Sequence, residues 1–223
     1  MNWLVLALAG GFVGLDSTSF PQAMISRPLV AATLGGLIFG DPVTGAMLGV
    51  ILEVLTFVVL PVGAARYPES GTAAAAAAAA LVHTGASWAD TPLLLMAALF
   101  ALGWERVAGL TVVLGRKVNE RFVADIPAAT SAERAVVRAH MLALGFDWLR
   151  GAACVLVGAL AGSLLLRLFG PLLQLDTNTA GGVIAVAATA LAGAGLSLFG
   201  GWRERRVTFG IGILCGLLLI LAA

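Results

Sequence analysis

Eight apolar blocks follow one another along this chain, at about 2–15, 28–40, 43–62, 71–86, 91–115, 142–169, 179–200 and 205–223. Each is near, or somewhat below, the roughly 20 residues with which a helix crosses the hydrocarbon core of a bilayer. A backbone in lipid must satisfy its own hydrogen bonds, and the blocks do not alternate apolar with polar residues as a porin strand does. Every block is therefore expected to be helical, and the chain to be an all-α integral membrane protein. Of its 223 residues 11% are charged and 60% hydrophobic, against roughly 25% charged in a soluble domain. What lies between the blocks is too short for a second domain, so 1–223 is expected to form a single membrane-embedded unit. A net charge of +1 gives no case for a nucleic-acid partner.

The first, second and fourth blocks are short for a full crossing, and Gly40-Asp41-Pro42 leaves almost no loop between the second and third. Short or interrupted pieces of this kind form re-entrant hairpins or broken helices that line transport sites. If the blocks alternate in direction, Arg27, Arg66, the 116–141 stretch and Arg203, Arg205 and Arg206 all fall on one side. The opposite linkers carry only acids, such as Asp41, Asp90 and Asp176, so the basic side is expected to be cytoplasmic and both termini outside. The polar stretch at about 116–141 is expected to be a cytoplasmic basic loop, in which Ser131, Glu133 and Arg134 can open a short helix. Its basic residues can anchor at anionic headgroups of the bilayer or dock a soluble partner. The first block lacks a basic lead-in and is followed by further apolar blocks, so it is expected to be retained as a membrane segment and not cleaved as a signal peptide.

Within the third block stands Glu53. A carboxylate in lipid costs several kcal/mol on the order of the insertion scales, so it normally faces a cavity or a partner. Gly49 and Gly45 lie one and two helical turns before it, on roughly the same face. Two readings fit that face. It can be a tight helix contact whose acid pairs with an arginine distant in sequence, or a surface that a small polar ligand approaches closely.

Other polar residues carry similar alternatives. Asp16 ends the first block, and Gln22 follows Pro21 in a turn-rich run. Asp16 can bond nearby backbone groups, and carboxylates and side-chain amides also suit sugar hydroxyls. Arg66, Tyr67 and Glu69 sit between Pro61 and Gly71, and Arg66 can pair with Glu69. Glu105 with Arg106, and Asp147 with Arg150, are expected to be structural pairs within apolar blocks. His83, in an apolar helix, reads as a packing residue and His140 as a solvated one. Cys154 and Cys215 suit neither a disulfide framework nor a metal site. No catalytic motif is present, so no catalytic residue, metal or cofactor is expected. The run Ala73 to Ala80 makes a narrow, smooth helix suited to close packing.

The run from Leu15 to Gly71 resembles the N-terminal region of the IIC component of the mannose/fructose/sorbose family of bacterial sugar phosphotransferase systems (PTS). The matching pieces are Arg27-Pro28-Leu29, Gly40-Asp41, Thr44-Gly45, Gly49, Leu52-Glu53 and Pro61 through Ala65. The resemblance implies an inverted-repeat, broken-helix fold with an elevator-like movement. It implies a multi-pass permease subunit of the bacterial cytoplasmic membrane, which binds a hexose or amino sugar and works in an oligomeric complex with a IID subunit. In such systems phosphorylated IIB, recharged by IIA from the phosphoenolpyruvate relay, phosphorylates the incoming sugar, so the IIC chain itself is not the enzyme. By resemblance Glu53 is a sugar ligand with Asp16 and Gln22 as neighbours, Gly40, Gly45 and Gly49 allow close approach, and Arg27, Asp41, Tyr67 and Glu69 are further candidates. The competing expectations are an ion- or proton-coupled secondary carrier in which Glu53 titrates, and a membrane scaffold that transports nothing.

Overall fold

The computed structural model describes residues 1–56, 68–124, 131–173, 175–198, 206–207 and 214. Among them are seven α-helices: α1 (Asn2–Thr18), α2 (Pro28–Phe39), α3 (Pro42–Thr56), α4 (Ser70–His83), α5 (Thr91–Ala124), α6 (Ala132–Phe169) and α7 (Thr177–Leu198). A single 3-10 turn at Gly170–Leu172 follows α6. Tyr67 lies outside the described residues, as do Pro61 through Ala65, Arg66, Cys215 and most of the eighth block.

Length sorts these helices into two kinds. At 1.5 Å per residue, the 34 residues of α5 and 38 of α6 reach about 50 Å and 57 Å, beyond the ~30 Å hydrocarbon core. The 12, 15 and 14 residues of α2, α3 and α4 reach only about 18–22 Å, so none of the three crosses alone. On the long helices Leu99, Leu110 and Leu114 of α5, and Leu149, Val157, Leu160, Leu164 and Leu168 of α6, are each more than half exposed. Their spacing draws an apolar stripe down each helix, the side that lipid covers.

α2 and α3 form an antiparallel hairpin closed by Gly40 and Asp41. Proline opens each helix, where its missing N–H costs no hydrogen bond. Gly40 stops α2 at φ +100°, in the left-handed region that favours glycine. The expectation that Gly40 serves close approach is corrected here: nothing stands within 4 Å of a methyl placed on it, and its use is conformational. Gly45 and Gly49 do lie at a close approach, and what approaches is α2. A methyl on Gly45 would fall 2.4 Å from the Ala32 carbonyl oxygen, and one on Gly49 2.8 Å from Leu29 Cα. A turn this short folds α2 directly onto α3, so the glycine face beside Glu53 is filled by backbone and offers no berth to a ligand.

α4 is the axis of the bundle. All of Gly71 through Leu81 is buried, and the alanines let neighbours approach to near backbone distance. Gly35 of α2 rests on the Ala75 carbonyl, while Ala76 and Ala80 face Gly158 and Gly162 of α6. α5 runs antiparallel to α6, tied by the Trp104 indole donating to the Cys154 carbonyl at 3.1 Å. α1 runs antiparallel along α6, with Gly10 against Val155 and Gly14 against Gly151.

The polar stretch expected as a loop at 116–141 is helical at both ends. α5 continues to Ala124 and α6 starts at Ala132. An apolar run marks where lipid ends, and good helix formers such as Arg, Lys and Glu carry the same helix onward.

Candidate functional site

The ends of the short helices meet at a cleft of about 140 Å³. Its walls are Ser17 from α1, Ser26, Arg27 and Pro28 leading into α2, Thr56 closing α3, Pro68 to Gly71 opening α4, and Glu105 from α5. At ~30 Å³ per liquid water, this volume holds about five waters.

The first wall is built by Asp16, which is buried. Its carboxylate accepts hydrogen bonds from the amide of Ala23 and from the amide and hydroxyl of Ser26, the latter two at 2.8 Å. These bonds fold the chain after α1 back on itself, with Gln22 and Met24 at φ 58° and 64°, and deliver Ser26 and Arg27 to the cleft. Asp16 thus takes the backbone-bonding alternative. Gln22 is exposed and is not among the residues that line the cleft.

Arg27 reaches across to Glu53, and the two form an ion pair. The second Glu53 oxygen accepts from the Leu29 amide at 3.2 Å. Glu53 therefore stands behind Arg27, one residue removed from the cleft. Asp41 lies in the turn of the α2–α3 hairpin, where the hydroxyl and amide of Thr44 hold its carboxyl below the usual carboxylate range.

The opposite wall rests on a buried charge network. Arg66, the partner that the sequence offers Glu69, lies outside the described residues; among those described, the Glu69 carboxylate receives both terminal nitrogens of Arg150, at 2.6 and 3.1 Å, and the Ser17 hydroxyl at 2.8 Å. The same guanidinium contacts Asp147 at 3.3 Å, the expected pair, together with the Thr111 hydroxyl at 3.2 Å and the Gly14 carbonyl at 3.4 Å. Thr18 and Ser19 donate to the far oxygen of Asp147. One arginine thus joins α1, α4, α5 and α6 around the base of the cleft, and the Glu69 amide adds a bond to the Glu105 carbonyl at 3.0 Å. Glu69 was legible as a polar residue beside the poly-alanine helix. Its partner was not, because nothing local links positions 69 and 150.

Glu105 and Arg106 form the expected ion pair, loosely, at 3.6 Å. Successive residues on a helix do not face each other, so Glu105 is buried at 3% exposure while Arg106 is 68% exposed. His83 packs edge-on to Trp3 and Phe39 and accepts from Arg167 at 3.2 Å, far along α4 from the cleft. Cys154 is a free, buried thiol.

Short apolar helices packed around a buried ionic network, flanked by two helices long enough to span a bilayer, define a polytopic membrane protein with a polar cleft where helices end. Its family is established by sequence: the profile of the PTS system sorbose-specific IIC component matches residues 1–199, and the chain belongs to that family. The sorbose-specific EIIC component of Klebsiella pneumoniae is 34% identical over 136 residues, 60% of this chain and 49% of that protein. Its counterpart from Lacticaseibacillus casei is 36% identical over 70 residues, 31% of this chain and 25% of that one. The matched region spans half or less of the length of these curated relatives. The fold is shared with a solved structure described as a membrane protein, with TM-score 0.65 and 21% identity over 100% of this chain and 93% of that one. It is also shared with a chain of the mannose transporter ManYZ in complex with microcin E492, with TM-score 0.59 and 19% identity over 100% of this chain and 92% of that chain.

Proposed function

We propose that this chain is the sugar-binding and translocating subunit of a phosphoenolpyruvate-dependent phosphotransferase system, seated in the bacterial cytoplasmic membrane. It works there with a IID membrane subunit, and with soluble IIA and IIB that phosphorylate the incoming hexose or amino sugar. Family membership supports the role, and one structural observation carries the site: the cleft where α1, α2, α3 and α4 end.

A sugar presents hydroxyls that both donate and accept. The cleft answers with the hydroxyls of Ser17, Ser26 and Ser70, the guanidinium of Arg27 and the carboxylate side of Glu69. Because Arg27 is paired with Glu53, and Glu69 with Arg150, both charges are held in place before a guest arrives. Preorganised donors and acceptors lose less entropy on binding. Among the described residues that line the cleft, the polar side chains are serine, threonine, arginine and glutamate, groups that suit a grip on hydroxyls. In this reading Glu53 acts on the sugar by positioning Arg27, and Asp16 by positioning Ser26.

The test fills the cleft. Ser70→Trp in the complete transporter should abolish saturable sugar uptake while the complex still assembles. Uptake that persists at wild-type affinity places the sugar elsewhere. Uptake that follows the proton gradient and ignores phosphoenolpyruvate supply would make the chain a secondary carrier.

A further inference from the structure

The buried carboxylates of this protein are not equivalent. Asp16 accepts from Ala23 and Ser26, Glu69 from Arg150 and Ser17, and Asp147 from Arg150, Thr18 and Ser19. Glu105 is as buried as they are, at 3% exposure, yet among the described residues its carboxylate accepts no hydrogen bond. Arg106 comes only within 3.6 Å and directs its guanidinium outward, 68% exposed. Its carboxylate oxygens are not among the fully enclosed polar atoms that lack a hydrogen bond in the described residues, so they open to the cleft and not into a sealed interior. Glu105 also lines the cleft.

We propose that Glu105 is the acceptor that the cleft reserves for the solute, taking a hydrogen bond from a hydroxyl or an ammonium group of the bound sugar. This rests on the cleft being the sugar site, and adds to that reading a residue and a chemistry. Every other acid around the cleft is already engaged within the chain: Glu53 by Arg27 and Leu29, Glu69 by Arg150 and Ser17. A guest that binds Glu105 breaks no hydrogen bond among the described residues, and the 3.6 Å approach of the exposed Arg106 can remain in place. It replaces hydration with a charge-assisted bond, which is roughly twice as strong as a neutral one. The Glu105 carbonyl accepts from the Glu69 amide at 3.0 Å, so α5 is fixed against the start of α4 at this residue. The acceptor is thereby held at a set position in the wall.

The experiment measures affinities of the purified complex for mannose, sorbose and glucosamine, for the wild type and for Glu105→Gln. The exchange keeps the shape of the side chain and removes its charge. Affinity for at least one sugar should fall about tenfold, with the sugar-free unfolding midpoint held. A larger loss for glucosamine than for the neutral sugars assigns an ammonium contact, and an equal loss assigns a hydroxyl common to them. Should Glu105→Gln fold poorly, Glu105→Asp keeps the charge and withdraws it by one methylene, and it too should weaken binding. Wild-type affinities retained by both variants overturn the role of Glu105 while leaving the cleft as the site. A wild-type complex that binds none of the sugars overturns the cleft reading itself, and Glu105 with it.

Discussion

Arg150 and Glu69 lie 81 positions apart in the sequence, and meet in a two-pronged ion pair with nitrogen–oxygen distances of 2.6 and 3.1 Å. Both side chains are almost wholly buried, at 5% and 0% exposure. Desolvating two charges cancels much of their attraction, so the pair is not in itself a large source of stability. Its consequence is geometric: it fixes the start of α4 against the middle of α6, beside the cleft.

Breaking such a pair strands a charge. Arg150→Gln is therefore expected to destabilise the protein by about 3–5 kcal/mol, read as a drop in the unfolding midpoint in detergent. Adding Glu69→Gln removes the stranded carboxylate and should recover part of the loss. A double mutant no more stable than Arg150→Gln would show that the pair does not couple.

Asp16 gives a second separation of roles. It bonds the protein's own Ala23 and Ser26, so Asp16→Ala should lower stability by about 2–3 kcal/mol, the cost of leaving buried donors unpaired. Sugar affinity should fall with it, since Ser26 and Arg27 lose their placement. Ser26→Ala, which leaves the backbone bond to Asp16 in place, should cost about 1 kcal/mol. Affinity lost in Asp16→Asn with stability unchanged would make Asp16 a direct ligand instead.

These cases mark what the sequence makes legible. The α2–α3 hairpin could be read from Gly40-Asp41-Pro42 because a glycine stop and a proline start act within a few residues. Burial of the alanine run followed from its composition in the same way. The Asp16 bonds were open in the sequence, since they depend on Gln22 and Met24 adopting positive φ, which neither residue type signals. The Glu69–Arg150 pair depends on how four helices pack, which nothing local in the sequence signals. Glu105 was read with its neighbour Arg106, and the two do pair at 3.6 Å, but their opposite exposure, 3% against 68%, follows from adjacent helical residues pointing in different directions. Polar residues were thus easy to find by their rarity in apolar blocks, while their partners were set by tertiary structure.

The glycines supply a contrast between two substitutions of the same kind. A methyl at Gly45 meets the Ala32 carbonyl oxygen at 2.4 Å, and backbone cannot swing aside as a side chain does. Gly45→Ala should force the α2–α3 hairpin apart, at about 1–3 kcal/mol, typical of overpacking. Gly103 is also helical, but has nothing within 4 Å of the added methyl. Gly103→Ala should raise stability by about 0.5–1 kcal/mol through helix propensity. Equal effects on the unfolding midpoint would contradict the hairpin packing.

Glu53 is the residue the sequence singles out most sharply, and its pairing makes its role separable by charge exchange. If it acts by holding Arg27, then Glu53→Gln frees an arginine whose side chain is already 51% exposed. The fold should change little, as partly exposed ion pairs contribute about 0–1 kcal/mol. Sugar affinity should drop several-fold, because Arg27 leaves the cleft wall. The exchange Arg27→Glu with Glu53→Arg restores the pair but puts a carboxylate where the guanidinium stood. The fold should then hold as in the single variants, and sugar binding should not recover. Were Glu53 itself the ligand, Glu53→Gln and Arg27→Gln would differ sharply, the first abolishing binding and the second sparing it. Two single variants with matching losses of affinity are what the pairing requires.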